Sequence, residues 1–484
     1  MTVNQIYDYI QPGRRAHLVG IGGVSMASLA EVLLGSGVVI TGSDQRESAT
    51  VLHLRSLGIP VTIGHFPENV EGVDCVVRTA AVHDSNPEIA AAHAKGIPVF
   101  ERAQAWGAIM RGYKNALCIS GTHGKTTTTS MCTHVFMAAH TDPPVMIGGT
   151  LPLLEAGHRV GHGDTIILES CEYCNSFLSF YPTVAVILNI EADHLDFFKD
   201  LDDVEHSFRA FADRVPPSGM IVANCEDANT MKTLEGETRP MLTFGVERGD
   251  VHAANLTVRE GFASLDEAIG NVEVVADGGE AIVRQWVETP TKMLELSVPG
   301  MHNVKNAMAT AAASIVLGIP GWAVEQGLQD FRLPGRRFEY KGAYHGAEVC
   351  DDYAHHPSEV EALLDTARQL NYQRVVVAFQ PHTYSRTHEL FDDFVRVLKE
   401  PDVTLLAEIF AAREDNTIGI SSKDLADQIP GSIYCPTLAD VTARLKEIAR
   451  PGDLILTVGA GDIYLAGEDL VKAGQGESAG TDEG

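Results

Sequence analysis

The sequence lacks any apolar run near the length of about 18 to 20 residues that crosses a membrane, which argues against a membrane-spanning protein. The first 15 residues are polar and lack the apolar core of a signal peptide. The eight cysteines do not have the spacing of a disulfide framework, and the C-x-x-C pair at Cys171 and Cys174 has no second pair nearby for structural zinc. We therefore expect a cytoplasmic protein with reduced thiols.

Basic residues are scarce as well, with 36 lysines and arginines against 65 acidic side chains and a formal net charge of −29. Such a field repels nucleic acid and anionic lipid, so we expect neither as a partner. Hydrophobic residues make up 45% of the chain, which is ordinary for a soluble globular protein. A length of 484 residues exceeds one ordinary core and predicts about three domains.

A glycine-rich turn between a predicted strand and a predicted helix is the most informative stretch. The apolar residues 116–119 precede Gly121-Thr122-His123-Gly124-Lys125-Thr126-Thr127, and a helical pattern follows. Such a turn directs backbone N–H groups and the positive end of a helix at one point, which suits a phosphate chain. Lys125 would reach the β- and γ-phosphates, and Thr126 would ligate magnesium. Ile119 stands where the full P-loop pattern has its first glycine, so only the second half of the motif is met.

The N-terminal segment has the fingerprint of a dinucleotide-binding fold. A predicted strand leads into Gly20-Ile21-Gly22-Gly23, a helical stretch, a second strand and Asp44, an acid placed to meet a ribose hydroxyl. Ser25 replaces the last glycine of the pattern. These residues therefore predict binding of a pyrophosphate and a ribose, but they do not establish that the ligand is a nicotinamide dinucleotide. His65 and Arg102 each follow a predicted strand, at the edge where ligands gather, although a solvated surface position is the alternative for both.

Two further predicted strands end in polar residues. Residues 165–168 lead to Glu169 and Glu172, and residues 184–190 lead to His194. In a parallel sheet these ends would lie beside the phosphate loop, where a carboxylate and an imidazole could complete magnesium coordination. Hard cations prefer oxygen ligands, which favours Glu172 over His194.

The segment that follows predicts a covering patch and a hinge. Residues 247–290 are irregular and acidic, and they predict short antiparallel strands that cover one face of the central domain. An alanine-rich helix comes next, and Asn303 near its start is a residue type that usually caps helices. A proline and a glycine at 334–335 predict a hinge, and the adjacent Arg336 and Arg337 suggest a phosphate clamp that forms on closure.

The C-terminal third again alternates strands and helices, with polar residues concentrated at predicted strand ends, which indicates a site. His355, His356 and His382 are candidate bases for an amine substrate, and the residues alone do not choose between them. The tail from about Ala473 is small and polar, and we expect it to be disordered.

Together these motifs resemble one family, the Mur ligases of peptidoglycan synthesis, over nearly the whole chain. Each motif is weak alone, but their order and spread are specific. The resemblance is carried by Gly20-Ile21-Gly22-Gly23 with Gly42-Ser43-Asp44, Gly121 to Thr127, Asp193-His194, His302-Asn303-Val304-Lys305-Asn306, Gly335-Arg336-Arg337-Phe338, Asp351 to Pro357, Gln380-Pro381-His382 and Gly459-Ala460-Gly461-Asp462. One departure is Cys171-Glu172-Tyr173, where many members have Asp-Glu-Ser, but Glu172 keeps its place.

The resemblance implies an α/β chain of three domains. A Rossmann-like domain at residues 1–112 would bind a UDP-sugar, a P-loop-type mononucleotide-binding sheet at 113–333 would bind ATP, and a Rossmann-like domain at 334–484, ending in the disordered tail, would bind an amino acid. The implied reaction joins L-alanine to the lactyl carboxylate of UDP-N-acetylmuramate through an acyl phosphate, with ATP and Mg²⁺ required and ADP and phosphate released. A monomer or a homodimer is expected.

The resemblance also assigns roles to individual positions. The UDP-sugar would meet Gly20, Gly22, Gly23, Asp44, His65 and Arg102. ATP would meet Gly121, Thr122, His123, Gly124, Lys125, Thr126 and Thr127, with Asn303 at the adenine and Arg336 or Arg337 near the phosphates. Magnesium would be held by Thr126, Glu172 and His194. The amino acid would meet Tyr353, His382 and Arg386, and the catalytic set would be Lys125, Glu172, His194, His382 and Arg386.

Three other functions remain open at this point. A ligase of the same family that attaches a preformed tripeptide for cell-wall recycling would use the same chemistry. An NAD-dependent oxidoreductase would account for the first domain but leave the phosphate loop without a role. A regulatory or transport ATPase would hydrolyse ATP without an acceptor.

Overall fold

The fold is described from a computed structural model, which covers residues 6–79, 82–195, 197–269, 274–275, 281–283, 294–412 and 414–479. Three large sheets organise this part of the chain, and a two-stranded ribbon accompanies the second. The strands of the large sheets fall in chain order within residues 15–101, 115–295 and 339–458. The architecture is α/β, as predicted, while the exact domain limits stay a prediction.

The first sheet is parallel throughout, with strand order β3-β2-β1-β4-β5. Its strands are β1 Arg15–Val19, β2 Val39–Asp44, β3 Val61–Ile63, β4 Cys75–Arg78 and β5 Val99–Glu101. Its helices are α1 Val24–Gly35, α2 Ala49–Ser56, α3 Pro87–Ala94 and α4 Arg102–Met110, with short 3-10 helices at Tyr7–Tyr9 and Pro67–Val70. Asn86 caps α3, and Pro87 occupies its first turn, where a missing N–H costs nothing. Since the strands are parallel, their carboxyl ends form one edge, which carries the Gly20 turn, Asp44 and Arg102.

The central sheet has ten strands in the order β17-β14-β13-β12-β11-β10-β6-β9-β7-β8. Its strands are β6 Asn115–Ser120, β7 Val145–Leu151, β8 Ala156–Arg159, β9 Thr165–Glu169, β10 Val184–Ile187, β11 Met220–Asn224, β12 Met241–Phe244, β13 Val251–Arg259, β14 Phe262–Ile269 and β17 Leu294–Glu295, and the ribbon is β15 Val274–Val275 with β16 Ala281–Val283. Its helices are α5 Lys125–Ala138, α6 Leu201–Ala212, α7 Ala228–Thr233, α8 Met301–Val316 and α9 Gly321–Gln329, with a 3-10 segment at Tyr173–Ser179. The strand β6 lies between β9 and β10 and is parallel to both, so the phosphate loop and two polar strand ends share one edge.

One expectation about this domain was wrong. The antiparallel strands β13 and β14 do form, but they extend the central sheet from β12 and do not cover its face. The link to β12 is the single pair Phe244 and Val251, both buried, so the apolar ends of these strands continue the existing core. Much of residues 270–293 lies outside the described residues.

The third sheet has the order β18-β19-β23-β20-β21-β22 and is parallel except for the β18–β19 hairpin. Its strands are β18 Glu339–Tyr344, β19 Ala347–Asp352, β20 Arg374–Phe379, β21 Val403–Ala407, β22 Ile433–Cys435 and β23 Asp453–Val458. Its helices are α10 Pro357–Gln369, α11 Tyr384–Glu389, α12 Phe391–Val397, α13 Ser422–Gln428, α14 Leu438–Ile448 and α15 Tyr464–Ala479.

The expected disorder from Ala473 onward was wrong as far as Ala479, because α15 continues through those residues. Leu470 and Val471 on this helix are buried in the core of the third sheet, and this packing holds the helix in place. Residues 480–484 lie outside the described residues.

The first and central domains share one hydrophobic core. Trp106 and Met110 on α4 belong to the same buried cluster as Phe177 and Phe208 of the central domain. Buried aromatic side chains contribute large apolar areas, so this contact fixes the edge of the first sheet relative to the central one.

Candidate active site

The phosphate loop runs from the end of β6 to the start of α5. Gly124 caps α5 with a φ of 83°, a left-handed conformation, and a Cβ there would lie 2.7 Å from Asn306 Oδ1. Only glycine fits both constraints. The side chain of Asn189 fixes the middle of the loop, because its Oδ1 accepts the His123 N–H at 2.8 Å and its Nδ2 donates to the His123 carbonyl at 3.1 Å.

Lys125 lies in a buried ring of acceptors. Its Nζ is 2.9 Å from Glu172 Oε2 and donates to the carbonyls of Gly121 at 2.6 Å and Thr122 at 3.0 Å. Burial alone would lower the pKa of Lys125, but the charge of Glu172 outweighs it and holds that pKa above its ordinary value. Lys125 is therefore a permanent positive charge at the head of the loop.

The residues predicted to hold magnesium gather around this lysine. His194 Nε2 lies 3.9 Å from Glu172 Oε1. The Thr126 hydroxyl donates to Glu169 Oε1 at 2.9 Å, and Glu169 Oε2 accepts the Gly148 N–H at 2.6 Å. Thr126 thus meets Glu169, a strand-end acid that was not chosen from the sequence, and Glu172 meets Lys125 and His194.

Two of the polar contacts between the central and third domains lie at this site. Arg386 on α11 donates to Asp193 Oδ1 from Nε at 3.1 Å and from Nη2 at 2.8 Å, and both side chains are buried. Burial alone would raise the pKa of Asp193, but the guanidinium outweighs it and holds that pKa well below its usual range.

The second contact is made by His123 of the phosphate loop. Its Nδ1 lies 3.1 Å from Glu359 Oε1 and its Nε2 lies 3.4 Å from Glu191 Oε2 and 3.1 Å from Ser358 Oγ. Burial would lower the pKa of His123, but the two carboxylates outweigh it and raise that pKa to about 10. His123 is therefore an imidazolium that joins the loop to α10.

A cavity of about 260 Å³ opens beside the loop, between α8 and the third domain. It is lined by His123, Gly124, Thr127, Asn303, Asn306, Arg337, Phe338 and Glu359, among others. Asn303 does not cap α8, because Gly300 holds that position with a φ of 99°. Instead its amide is buried and donates to the Pro299 carbonyl at 2.7 Å. Loop glycines, apolar walls and buried amides in one cleft fit a purine nucleotide.

The two adjacent arginines point in different directions. Arg337 lines this cavity, 4.0 Å from Glu359. Arg336 instead donates to the buried Asp351 at 2.9 Å and to the carbonyls of Gly461 and Gly459 at 2.9 and 2.7 Å. Arg336 has a left-handed φ of 62°, and the Cζ atoms of Arg336 and Arg337 lie 5.0 and 5.4 Å from the centre of the Tyr353 ring. Since the N–H groups of Arg336 are used inside the third domain, the geometry favours Arg337 over Arg336 as the arginine near the phosphates, and this choice stays a prediction.

Three family models match consecutive parts of the chain. They are the Mur ligase family catalytic domain at residues 15–114, the Mur ligase middle domain at 119–314 and the Mur ligase glutamate ligase domain at 336–461. The chain belongs to the Mur ligase family. Among the described residues of this Mur ligase, no helix combines the length and the apolar character needed to cross a membrane.

Named relatives agree over almost the full length. A UDP-N-acetylmuramate–L-alanine ligase of Clostridium novyi is 42% identical over 464 residues, which cover 95% of this chain and 98% of that protein. One of Agathobacter rectalis is 43% identical over 94% of this chain and 97% of that protein. The crystal structure of UDP-N-acetylmuramate–alanine ligase MurC from Thermotoga maritima has a TM-score of 0.76 and 28% identity, covering 96% of this chain and 99% of that one.

A second, smaller cavity of about 160 Å³ lies at the contact between Asp193 and Arg386. His382 lines it and accepts the Arg386 Nη1–H at 3.2 Å on Nδ1. Tyr353, which the family resemblance assigns to the amino acid, does not line this cavity. Its ring stacks with Arg337 at 5.4 Å and lies 5.4 Å from His355.

The residues assigned to the UDP-sugar lie at the carboxyl edge of the first sheet. The Gly22 N–H donates to Asp44 Oδ2 at 2.8 Å, and a Cβ on Gly22 would lie 2.9 Å from that oxygen. The N–H groups of Gly20 and Ile21 donate to the Ser43 carbonyl, and Gly23 precedes α1. His65 lies just beyond β3, where its Nδ1 is 2.9 Å from Glu88 Oε2.

Arg102 links this edge to the central site. It begins α4, and burial lowers its pKa while the nearby charge of Glu169 opposes that shift. The first domain therefore places a partly buried guanidinium within the electrostatic influence of Glu169.

Sequence reasoning missed four residues that the structure places in or around the central site, namely Glu169, Asn306, Ser358 and Glu359. Asn306 stands in the His302 to Asn306 motif, and Glu359 follows the Asp351 to Pro357 motif by two residues, so both had a signal nearby. Glu169 had one too, because it stands at a predicted strand end, but its contact with Thr126 depends on the pairing of β6 with β9.

Proposed function

We propose that this chain is an ATP-dependent ligase that joins L-alanine to the lactyl carboxylate of UDP-N-acetylmuramate, in the synthesis of a peptidoglycan precursor. The observation that carries the proposal is that all three domains converge on one cluster of charges. Lys125 and Glu172 form its centre, the charge of Glu169 acts on Arg102 of the first domain, and Arg386 of the third domain pairs with Asp193, whose neighbour His194 lies 3.9 Å from Glu172. The names of relatives at 42% and 43% identity support the same reaction.

In this proposal, each domain binds one substrate. The UDP-sugar lies along the Gly20 turn with Asp44, His65 and Arg102. ATP occupies the larger cavity, with its phosphates on the loop from Gly121 to Thr127, its adenine near Asn303 and Arg337 near the phosphates. The amino acid occupies the smaller cavity beside His382 and Arg386.

The residues around Lys125 fit a magnesium ion. Thr126, Glu169 and Glu172 supply oxygen donors, which hard cations prefer, and His194 supplies a nitrogen. Glu172 Oε2 is buried and pairs with Lys125 Nζ at 2.9 Å without a well-aligned hydrogen bond, so the carboxylate keeps lone pairs that a cation could use. When bound, the ion would neutralise charge on the triphosphate.

The chemistry follows from the obstacle it must overcome. A carboxylate resists attack by an amine because its oxygen is a poor leaving group. Transfer of the γ-phosphoryl group forms a bond from a carboxylate oxygen to phosphorus and breaks the bond to the β-phosphate oxygen, giving an acyl phosphate and ADP. The amine then attacks the carbonyl carbon, and phosphate leaves with that carboxylate oxygen. Lys125 and Arg102 offset the repulsion between the two anions.

The surroundings of His382 favour a role in holding Arg386 over a role as the catalytic base. Among His355, His356 and His382, only His382 lines the amino-acid cavity. Burial lowers its pKa to about 3, and its Nδ1 already accepts from Arg386, so it is a weak base in this arrangement. We assign it to holding Arg386 in place. The contacts of His123 and Arg386 between domains keep water from the acyl phosphate.

Replacement of Lys125 by alanine tests the proposal. Lys125→Ala should abolish ADP release that depends on alanine and the UDP-sugar, while UDP binding stays almost unchanged. Lys423→Ala is the matched control, because Lys423 pairs with Asp427 on the exposed face of α13. Loss of both ADP release and UDP binding would contradict the division of labour among the domains.

A panel of acceptors separates the remaining functions. ADP release should require UDP-N-acetylmuramate and should be greatest with L-alanine, because a cavity of about 160 Å³ suits one small amino acid. Glycine and L-serine differ from alanine by one small group, worth about 1 to 3 kcal/mol in discrimination. Preference for a tripeptide would assign the recycling reaction, and turnover that ignores every acceptor would assign an ATPase.

A further inference from the structure

A buried carboxylate lies directly behind the ligand edge of the first sheet. Glu88, in the first turn of α3, has no exposed surface. Its Oε2 accepts from the Ser43 hydroxyl at 2.6 Å and lies 2.9 Å from His65 Nδ1. Its Oε1 accepts from the Asn69 amide and lies 3.5 Å from His17 Nε2. Four side chains from four separate segments therefore converge on one charge.

The carboxylate is ionised in this setting. Burial alone would raise the pKa of Glu88, but the surrounding donors outweigh it and lower that pKa to about 2. An ionised carboxylate can only accept hydrogen bonds, so the proton between the two groups belongs to His65 Nδ1. In the neutral ring, Nε2 is then left as an acceptor. Nε2 lies across the ring from the buried carboxylate, and the side chain is 12% exposed.

The same network reaches the glycine turn. Ser43 donates its hydroxyl to Glu88, while its backbone carbonyl accepts the N–H groups of Gly20 and Ile21 at 2.9 and 3.0 Å. The Gly64 N–H, next to His65, donates to the Asp44 carbonyl at 2.8 Å. Glu88 is therefore connected to both parts of the edge that we assign to the UDP-sugar.

Stability alone explains this arrangement poorly. A buried ionic cluster is often no more stabilising than apolar side chains of the same volume, because each charge must lose its water. Glu88 fixes His65 Nε2 as a hydrogen-bond acceptor, and this is useful only if a ligand donates a hydrogen bond to Nε2.

We propose that Glu88 is a positioning residue for the UDP-sugar, which acts by holding His65 in the Nδ1–H tautomer with Nε2 turned toward the ligand. The partner of Nε2 is then a hydrogen-bond donor on the uridine diphosphate portion of the UDP-sugar. This inference rests on the proposed function, since it takes the UDP-sugar as the ligand of the first domain.

A double-mutant cycle in the full chain tests the inference, with UDP as the probe in calorimetry. The Glu88→Gln variant keeps the size of the side chain but can donate to Nδ1, which favours the opposite tautomer. In the wild-type background, we expect Glu88→Gln to raise the Kd for UDP about tenfold or more. In the His65→Ala background, the same substitution should raise the Kd less than twofold. Affinity for ATP should not change. Glu71→Gln is the matched control, since Glu71 is an exposed glutamate of the same domain.

Nitrogen NMR of the imidazoles supplies a readout that a purely structural role would not move. The wild-type His65 should carry its proton on Nδ1, and the Glu88→Gln variant should carry it on Nε2. The inference would be overturned if the two substitutions acted independently, so that their effects on the Kd for UDP multiplied. It would also be overturned if His65 in the wild type carried its proton on Nε2. If UDP binds and the cycle shows coupling while no alanine-dependent ADP is released, the proposed reaction fails and the positioning role stands. If UDP does not bind the wild type, both fail.

Discussion

The ion pair between Asp193 and Arg386 gives a quantitative prediction about domain closure. The two side chains are 6% and 10% exposed, and they meet at 2.8 and 3.1 Å across the boundary between the central and third domains. Coulomb attraction at this distance is about 6 kcal/mol at an effective dielectric constant of about 20. Breaking a buried pair by removing one partner costs about 3 to 5 kcal/mol, because the other charge is left uncompensated.

The Asp193→Asn variant removes the charge but keeps one acceptor for Arg386, so we place its cost just below that range, at about 2 to 3 kcal/mol. At about 1.4 kcal/mol per factor of ten, this is a fall of about 30- to 150-fold. When the third domain moves away, water solvates the unpaired guanidinium again. The substitution should therefore make domain closure less favourable, and this cost should appear as a lower kcat/KM for the amino acid. The affinity of the free enzyme for ATP should change little, since Asp193 does not line the nucleotide cavity.

The assay is coupled ADP release with saturating ATP and UDP-N-acetylmuramate at varied L-alanine. Asp202→Asn is the control, because Asp202 forms an exposed pair with Lys232 in which both side chains are more than half exposed. A fall of less than twofold for Asp193→Asn, or an equal fall for the control, would refute the reasoning.

Three further predictions concern other parts of the site. Arg337→Ala should raise KM for ATP about tenfold, whereas Arg336→Ala should instead lower the free energy of unfolding by about 3 kcal/mol, since it leaves a buried carboxylate unpaired. Glu169→Gln should raise the Mg²⁺ concentration for half-maximal activity by about tenfold, because it loosens the threonine beside the ion. The stability difference between wild type and Glu88→Gln, about 3 kcal/mol near neutral pH, should shrink as pH falls below 4.5 toward 2, because the pKa of Glu88 is lowered from 4.5 to about 2 on folding.

Each of these has a clear contrary result. Similar KM values for ATP in the two arginine variants would contradict the different directions of their side chains. Unchanged magnesium dependence in Glu169→Gln would remove that carboxylate from the metal site. A stability difference for Glu88→Gln that is constant in urea unfolding between pH 7 and pH 3 would show that Glu88 is not ionised in the fold.

Local patterns predicted the centre of the site. The glycine turn gave Lys125 and Thr126, because a strand, a turn and a helix in that order position them without help from distant residues. The parallel strand ends predicted that Glu172 and His194 lie near the loop, and the structure brings these two within 3.9 Å of each other.

Contacts between domains could not be predicted in the same way. Asp193 and Arg386 are 193 residues apart, and His123 and Glu359 are 236 apart, so each contact depends on how whole sheets are arranged. Arg336 donates to Asp351 and to the carbonyls of Gly459 and Gly461, which lie more than 120 residues further along the chain, and no local pattern predicts these partners. For Asn303 the sequence left a helix cap as the alternative to an adenine contact; Gly300 provides the cap and Asn303 lines the larger cavity, while the adenine contact stays a prediction.

The central claim is that the sugar-borne carboxylate is activated by phosphoryl transfer. It is tested most directly by following ¹⁸O from the lactyl carboxylate of labelled UDP-N-acetylmuramate during turnover with ATP and L-alanine. We expect one labelled oxygen in the inorganic phosphate for each amide bond formed. Label that never enters phosphate, or that leaves with AMP, would contradict the account.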